Sequence, residues 1–282
     1  MSISSADQSC SNQSCASFVE PAINPTSSWV VLCPAFAADH TMWDGQIDLL
    51  RQTHNVLRFD LRGHGASPTK AGSCSLRDLE DDVLAVMDHH MIDQAIFIGL
   101  SLGGNIGLGL ALRMPERISH LVCCDARGDM PPPARASWDE RMELVRHNGT
   151  EAIIDMTLPR WLSDETRQHR PQVVAQVRKM ISATSREGYL ACAQALRDMS
   201  PVQGLEALQV PVAYVTGELD FAAAPAIVEA MAAKTPGSSF DCIKGASHLS
   251  NLDQPEAFNA ILRHRLKPVS YTHLTLPTIL LV

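Results

Sequence analysis

The chain of 282 residues has no run of about 18 consecutive apolar residues, the length that a helix needs to span a bilayer. Residues 1–28 are rich in Ser, Gln, Asn and Cys, and they lack the basic and apolar parts of a secretory signal. Positive charge is scarce too, because 23 Lys and Arg residues stand against 31 Asp and Glu residues, for a formal net charge of −8. These absences argue against a membrane partner and a nucleic-acid partner. We therefore expect a cytoplasmic protein.

Signatures of metal and nucleotide sites are also missing. None of the eight cysteines forms a C-x-x-C pair, and no cluster of Asp, Glu and His has the spacing of a metal site. Cys33, Cys123 and Cys124 lie inside apolar runs, which favours buried thiols in a reducing compartment. Neither of the common glycine-rich phosphate-binding loops occurs. The sequence therefore predicts neither a metal nor a cofactor.

What the sequence does contain is an alternation of short apolar runs with segments of helical spacing, from Trp29 onward. This alternation predicts an α/β fold, a mostly parallel sheet flanked by helices on both faces. It stops at Asp129 and resumes near Val210, so a helical insertion is predicted in between. Predicted strands occupy residues 29–33, 55–60, 95–98, 118–124, 210–215 and 239–243. Predicted helices occupy residues 44–51, 75–90, 102–114, 224–233 and 255–266.

These patterns divide the chain into a core, residues 29–128 with 206–267, and a helical cap, residues 129–205. The polar N-terminal segment 1–28 shows no convincing pair of strands, and only Phe18-Val19 hints at one. The tail 268–282 has no charged residue and no helical stripe. We interpret it as non-native and assign it no function.

One motif carries chemistry: Gly99-Leu-Ser101-Leu-Gly103 matches G-x-S-x-G between a predicted strand and a predicted helix. In this pattern the serine occupies a sharp strand-to-helix turn, and the glycines leave room for neighbouring backbone. The turn exposes the hydroxyl at a helix N-terminus, where the backbone N–H of Leu102 points at a developing oxyanion. A structural glycine-rich turn is the alternative. The context favours Ser101 as the nucleophile of an α/β-hydrolase fold.

A serine nucleophile needs a general base and a residue that orients the base. His248 follows the last predicted strand and Asp220 follows the strand before it, so both are expected at the same edge of the sheet as Ser101. Asp125 also ends a strand at this edge and is the competing acid, although we favour a loop-capping carboxylate there. The second oxyanion donor should come from the loop after the first buried strand, where the N–H of Phe36 is the candidate.

Several segments resemble the 3-oxoadipate enol-lactonases, over about residues 29–266. In the core these are Asp60-Leu-Arg-Gly-His-Gly-Ala-Ser67, Gly99-Leu-Ser-Leu-Gly-Gly104 and His248-Leu-Ser-Asn251. In the insertion they are Arg160-Trp161 and Ala183-Thr-Ser-Arg-Glu-Gly-Tyr189. We interpret His64, within the first of these segments, as a structural histidine rather than a second base.

The resemblance implies that Ser101, Asp220 and His248 form the triad of this family and that Trp161 contacts the substrate. One segment departs from the family: where an Asn-Ser-Leu-Gly type of loop is expected, this chain has Pro34-Ala-Phe-Ala37, so that Phe36 replaces a smaller residue and a glycine is lost.

The implied activity is hydrolysis of a small lactone or ester through an acyl-enzyme, in bacterial aromatic degradation. A carboxylate-bearing substrate would need a cation near the pocket, and Arg127 and Arg160 are the candidates, with solvated surface arginines as the alternative. Three rival functions stay open: a general carboxylesterase, a perhydrolase or C–C bond hydrolase with the same triad, and a non-catalytic binding protein. Assembly into a homo-oligomer is also left open.

Overall fold

The structure, a computed structural model, describes residues 15–24, 26–70, 72–200 and 202–266. Cys10, one of the eight cysteines, and the tail 268–282 lie outside the described residues, and so does the interpretation of that tail as non-native. No helix in the described part of the chain combines the length and apolar character needed to cross a bilayer.

Seven strands form one sheet within the described residues: β1 (Ser17–Glu20), β2 (Trp29–Cys33), β3 (Asn55–Phe59), β4 (Ala95–Leu100), β5 (Ile118–Cys124), β6 (Val212–Gly217) and β7 (Ser239–Ile243). Their order across the sheet is β1-β3-β2-β4-β5-β6-β7. Strands β2 to β7 pair in parallel, and β1 pairs with β3 in antiparallel fashion. All six predicted strands are present, with ends within two residues of the prediction. The fold prediction is confirmed.

The N-terminal segment requires a correction. Residues 1–28 are predicted to lie outside the core, but Ser17–Glu20 forms the edge strand β1. The ring of Phe18 stacks on that of His40 at a centroid distance of 3.7 Å. A four-residue edge strand carries too few alternating positions to stand out in a sequence. The Phe18-Val19 pair was the only signal of it.

Eleven α-helices occupy the described residues: α1 (Asp44–Leu50), α2 (Leu76–His89), α3 (Leu102–Arg113), α4 (Pro132–Asn148), α5 (Ile154–Trp161), α6 (Asp164–His169), α7 (Pro171–Ala183), α8 (Arg186–Asp198), α9 (Pro225–Lys234), α10 (Ser250–Asp253) and α11 (Pro255–Arg265). Local hydrogen bonds fix the start of α2. The Ser75 hydroxyl accepts from the Asp78 N–H, and the Asp78 carboxylate accepts from the Ser75 N–H. Helix α3 packs on β4 and β5, which sets the direction in which the chain leaves β4.

The predicted cap region, residues 129–205, contains α4 to α8 and hydrogen-bonds to the rest of the molecule at several places, two of which adjoin the loop after β3 and the loop of His248. At the first, the N–H of Ser185 donates to the carbonyl of Gly63 at 2.8 Å. At the second, the N–H of Leu249 donates to the carbonyl of Trp161 at 3.0 Å. The second contact joins the insertion to the loop that carries His248.

Candidate active site

Ser101 lies on the sharp turn between β4 and α3, with φ 57° and ψ −111°. An L-residue in this region is strained, and the surrounding packing must hold it there. A Cβ on Gly103 would collide with the carbonyl of Cys33, and one on Gly99 would collide with the carbonyl of Gly103. Glycine is therefore required at both positions of the G-x-S-x-G motif, for the steric reason that the motif implies.

The structure brings the three predicted residues together. The Nε2 atom of His248 lies 2.9 Å from Oγ of Ser101, and its Nδ1 atom lies 2.8 Å from Oδ2 of Asp220. The other oxygen of Asp220 accepts from the backbone N–H groups of Ala222 and Ala223 at 2.8 and 3.1 Å. A hydroxyl, an imidazole and a carboxylate thus form a continuous hydrogen-bonded chain at one edge of the sheet.

The electrostatics of the hydrogen-bonded triad favour an ion pair between His248 and Asp220. Burial by itself disfavours a charged His248, but the Asp220 carboxylate beside it prevails and raises the pKa of His248 above its ordinary value. Burial also disfavours a charged Asp220, yet His248 and two backbone N–H groups lower the pKa of Asp220. The arrangement therefore supports an imidazolium at position 248, the state that follows proton abstraction from a serine.

Asp125, the competing acid of the sequence analysis, lies close by but does not hydrogen-bond to His248. Its Oδ1 accepts from the Gly217 N–H at 2.9 Å and its Oδ2 accepts from the Ser250 hydroxyl at 2.5 Å. Asp220 therefore occupies the position that orients the histidine. Burial and the charge of Asp220 raise the pKa of Asp125 to about 8.

The two predicted oxyanion donors lie at the ends of the neighbouring strands β4 and β2. Leu102 is the first residue of α3, and N–H groups of a first helical turn have no partner inside the helix. Phe36 follows β2, whose Cys33 lies beside Gly99 in the sheet register. Ala37, in the position where a glycine was expected, takes a left-handed φ of 53°. The alanine thus keeps the turn that the missing glycine would make.

A cavity of about 470 Å³ opens beside Ser101 and His248. Phe36 and all three predicted substrate contacts, Trp161, Arg127 and Arg160, line it. The ring of Phe36 contacts Trp138 and Tyr189, with ring centroids 5.1 and 4.6 Å apart. The aromatic side chain of Phe36 thus forms part of the cavity wall.

Comparison with known proteins identifies the family. A family model described as alpha/beta hydrolase fold matches residues 28–255. The chain belongs to the α/β-hydrolase family. It is 32% identical to 3-oxoadipate enol-lactonase 2 of Acinetobacter baylyi over 219 residues, which are 78% of this chain and 81% of that protein.

Solved structures agree. The enol-lactonase from Burkholderia xenovorans aligns with a TM-score of 0.86 and 30% identity, covering 90% of this chain and 96% of that one. A thermophilic esterase from Thermogutta terrifontis aligns with a TM-score of 0.83 and 29% identity, covering 89% of this chain and 92% of that one. The family and the fold are thus shown, and the protein is a hydrolase whose relatives include a lactonase and an esterase.

The cavity of this α/β-hydrolase contains a cation that sequence reasoning missed. Arg141 of α4 is only 8% exposed, and its Nη2 donates to Oγ1 of Thr157 at 2.9 Å. Its Nε atom is buried without a hydrogen-bond partner in the described residues. The guanidinium carbon lies 5.2 Å from the ring centroid of Trp138. A buried arginine of this kind has a positive charge that no carboxylate in the described structure neutralises.

The two predicted cations differ from each other. Arg127 already pairs with Asp129 at 2.7 Å and donates to the carbonyl of Ala222. Arg160 has no carboxylate partner among the described residues, and its guanidinium lies 4.2 Å from the ring centroid of Phe221. Burial and the nearby charge of Arg141 lower the pKa of Arg160. Unneutralised positive charge in the cavity is thus concentrated at Arg141 and Arg160.

Two other polar groups are structural in their contacts. His64 is fully buried, and its Nδ1 lies 2.9 Å from the carbonyl of Arg62. Asp39, His40 and Asp60 come close enough together to be considered as metal ligands. However, Asp60 accepts from the backbone N–H groups of His40 and Ala66 and from the ring of His40. These contacts already occupy the carboxylate, so we assign no ligand to this group.

Proposed function

We propose that this α/β-hydrolase is a serine hydrolase that opens a small lactone or ester through an acyl-enzyme, with Ser101, His248 and Asp220 as its triad. The observation that carries the proposal is the hydrogen-bonded chain from Ser101 Oγ through His248 to Asp220, at the wall of a cavity. A serine on a strained turn, hydrogen-bonded to an oriented histidine, is the arrangement that nucleophilic catalysis requires.

In the first half of the reaction, Oγ of Ser101 bonds to the carbonyl carbon while its proton passes to Nε2 of His248. The oxygen of the carbonyl takes up negative charge, and the N–H groups of Leu102 and Phe36 donate to it, each contributing about 3 kcal/mol. The bond to the leaving oxygen then breaks, and His248 gives its proton to that oxygen. Asp220 stabilises the imidazolium throughout.

In the second half, a water molecule gives a proton to His248 and bonds to the acyl carbon. The bond between that carbon and Oγ breaks, and the serine recovers its proton from His248. In a lactone the leaving oxygen stays tethered to the acyl group, so it can close the ring again at high effective molarity. An enol that tautomerises to a ketone removes this back reaction, which favours an enol-lactone as substrate.

Two features support 3-oxoadipate enol-lactone in particular. The first is the similarity to enol-lactonases described above. The second is the positive charge of Arg141 and Arg160 in an otherwise largely apolar cavity. A buried cation is stabilised by an anion, and a substrate that carries a carboxylate supplies one. Hydrolysis of this substrate corresponds to the role in aromatic degradation that the resemblance implies.

The test is a hydrolysis panel of enol-lactones, saturated lactones and short-chain esters, run on the wild-type protein and on Ser101→Ala. We expect the highest kcat/KM on an enol-lactone that bears a carboxylate, and a loss of at least about 10⁴-fold in kcat for Ser101→Ala on every substrate. A fluorophosphonate probe should label the wild type and not the variant. Undiminished hydrolysis by Ser101→Ala would rule out the proposal.

A general carboxylesterase is the second candidate, because the cavity is lined mainly by apolar groups such as Met130, Trp138, Trp161 and Leu196. Such a lining suits an uncharged acyl chain. The same panel separates the two functions. A general esterase would hydrolyse neutral p-nitrophenyl esters with a kcat/KM equal to or above that for carboxylated lactones.

A further inference from the structure

The Asp125 carboxyl group lies between the two loops that carry Asp220 and His248. One oxygen accepts from the N–H of Gly217, three residues before Asp220. The other accepts from the hydroxyl of Ser250, two residues after His248. The backbone N–H of Asp125 also donates to the carbonyl of Val215 in β6 at 2.8 Å. A single side chain thus connects both segments of the proposed triad.

The surroundings of Asp125 also make its charge effective at a distance. The residue is 1% exposed and lies at the wall of the cavity beside His248. Its backbone has a left-handed φ of 48°, a conformation that is costly for a residue other than glycine and that the packing must maintain. Because water is excluded, a charge here acts on a neighbouring imidazole more strongly than a surface charge would.

We propose that Asp125 is a positioning residue that acts as a reserve carboxylate, stabilising the charged form of His248 when Asp220 does not. This inference rests on the proposed triad. Asp125 acts on the histidine through the Ser250 and Gly217 contacts and through its charge, without touching the ring.

The division of charge between the two acids supports this role. Burial, and after it the negative charge of Asp220, raise the pKa of Asp125 to about 8, while His248 lowers the pKa of Asp220. The thiols of Cys123 and Cys124 precede Asp125 in the chain, and burial keeps them neutral. In the wild type at neutral pH, Asp220 therefore holds most of the negative charge. Without Asp220, the largest opposing charge near Asp125 is gone, and Asp125 can ionise beside His248.

The experiment is a double-mutant cycle with Asp125→Asn, Asp220→Ala and the combination, measured as kcat and KM on p-nitrophenyl acetate at pH 7. We expect Asp125→Asn alone to lower kcat by about 3-fold or less. In the Asp220→Ala background, the same change should lower kcat by a further factor of roughly 10 or more, with KM unchanged. Ser250→Ala, a gentler change that removes one donor to Asp125, should show the same dependence on background.

A matched control is Glu80→Gln, which neutralises a buried carboxyl group that pairs with Arg113 at 2.9 Å. Arg113 ends α3, about 16 Å along the helix from Leu102, so this variant should leave kcat unchanged in both backgrounds. Equal factors for Asp125→Asn with and without Asp220 would overturn the proposal, because a merely structural role gives additive losses. If Ser101→Ala keeps its activity, the triad itself fails, and that result is independent of Asp125.

Discussion

At the scale of single residues, the site combines a strained backbone with unbalanced charge. Three residues of the site have a positive φ: Ala37 after β2, Ser101 after β4 and Asp125 after β5. Non-glycine residues in this region cost about 1–2 kcal/mol each. Positive φ values at three neighbouring strand ends place the reactive hydroxyl, the oxyanion loop and a buried carboxyl group around one point. These strained conformations lower the stability of the fold at this point, and they fix the geometry of the site.

The Arg141 guanidinium gives the first prediction at this scale. Replacing it by methionine, a residue of similar length without charge, should raise KM for a carboxylated lactone by about 10- to 100-fold, since hydrogen bonds to charged groups are worth about 1.5–3 kcal/mol. The KM for a neutral ester should change little. The measurement is a steady-state comparison of the two substrates.

The matched control for this change is Arg146→Met, in the same helix α4. Arg146 lies at the exposed surface, where its partner is Glu143, and such surface pairs contribute little. Equal effects of both variants on the carboxylated substrate would show that Arg141 does not bind the anion.

At the scale of secondary-structure elements, the contact between α8 and the loop after β3 decides how the insertion sits on the core. Gly188 of α8 packs directly on the backbone of Gly63, and an added Cβ would collide with the Gly63 carbonyl group at 2.7 Å. The Ser185 hydroxyl accepts from the Gly188 N–H and donates to the same Gly63 carbonyl. A helix and a loop therefore approach each other as closely as backbones allow.

The second prediction follows from this contact. Gly188→Ala should lower the free energy of unfolding by about 1–3 kcal/mol, because either the helix or the loop must move to admit the methyl group. The comparison is Gly45→Ala in α1, where no atom lies within 4 Å of the added Cβ. This control should raise stability by up to about 1 kcal/mol, since alanine is the better helix former. Urea unfolding of both variants measures the difference, and equal stability would argue against a tight joint.

At the scale of the whole molecule, stability should depend on pH through the buried Asp125. Its pKa is raised to about 8 in the folded protein, whereas an unfolded chain ionises an Asp near pH 4. Between these values the folded state holds a proton that the unfolded state has released. The free energy of unfolding therefore falls as pH rises, by up to about 1.4 kcal/mol per pH unit from this group.

The third prediction is that Asp125→Asn removes this contribution. Between pH 6 and pH 8, the wild type should lose about 2 kcal/mol more unfolding free energy than the variant, measured by urea denaturation at each pH. Asp81→Asn, a change at an exposed carboxylate, should keep the wild-type slope. Parallel curves for the wild type and Asp125→Asn would show that Asp125 titrates in its ordinary range.

The sequence alone was enough to locate the core strands other than β1, the main core helices and the proposed triad. The continuous apolar run 29–33 is typical of a strand covered on both faces, and Ser75 with Asp78 marks a helix start by local hydrogen bonding. The G-x-S-x-G turn is equally local, since its glycines are required by clashes with nearby backbone. Because parallel strands all end at one edge, the chain order of Ser101, Asp220 and His248 was sufficient to predict that they meet.

Only the tertiary structure decided which polar groups face each other. Arg141 lies on a polar helix, and nothing in the spacing of α4 indicates that this side chain turns into the cavity rather than into water. Asp125 bonds to residues 92 and 125 positions away in the chain, and β1 joins the sheet beside β3 rather than beside its neighbour β2. Local sequence patterns encode hydrogen bonds and burial within an element, whereas contacts between distant segments depend on how whole elements pack.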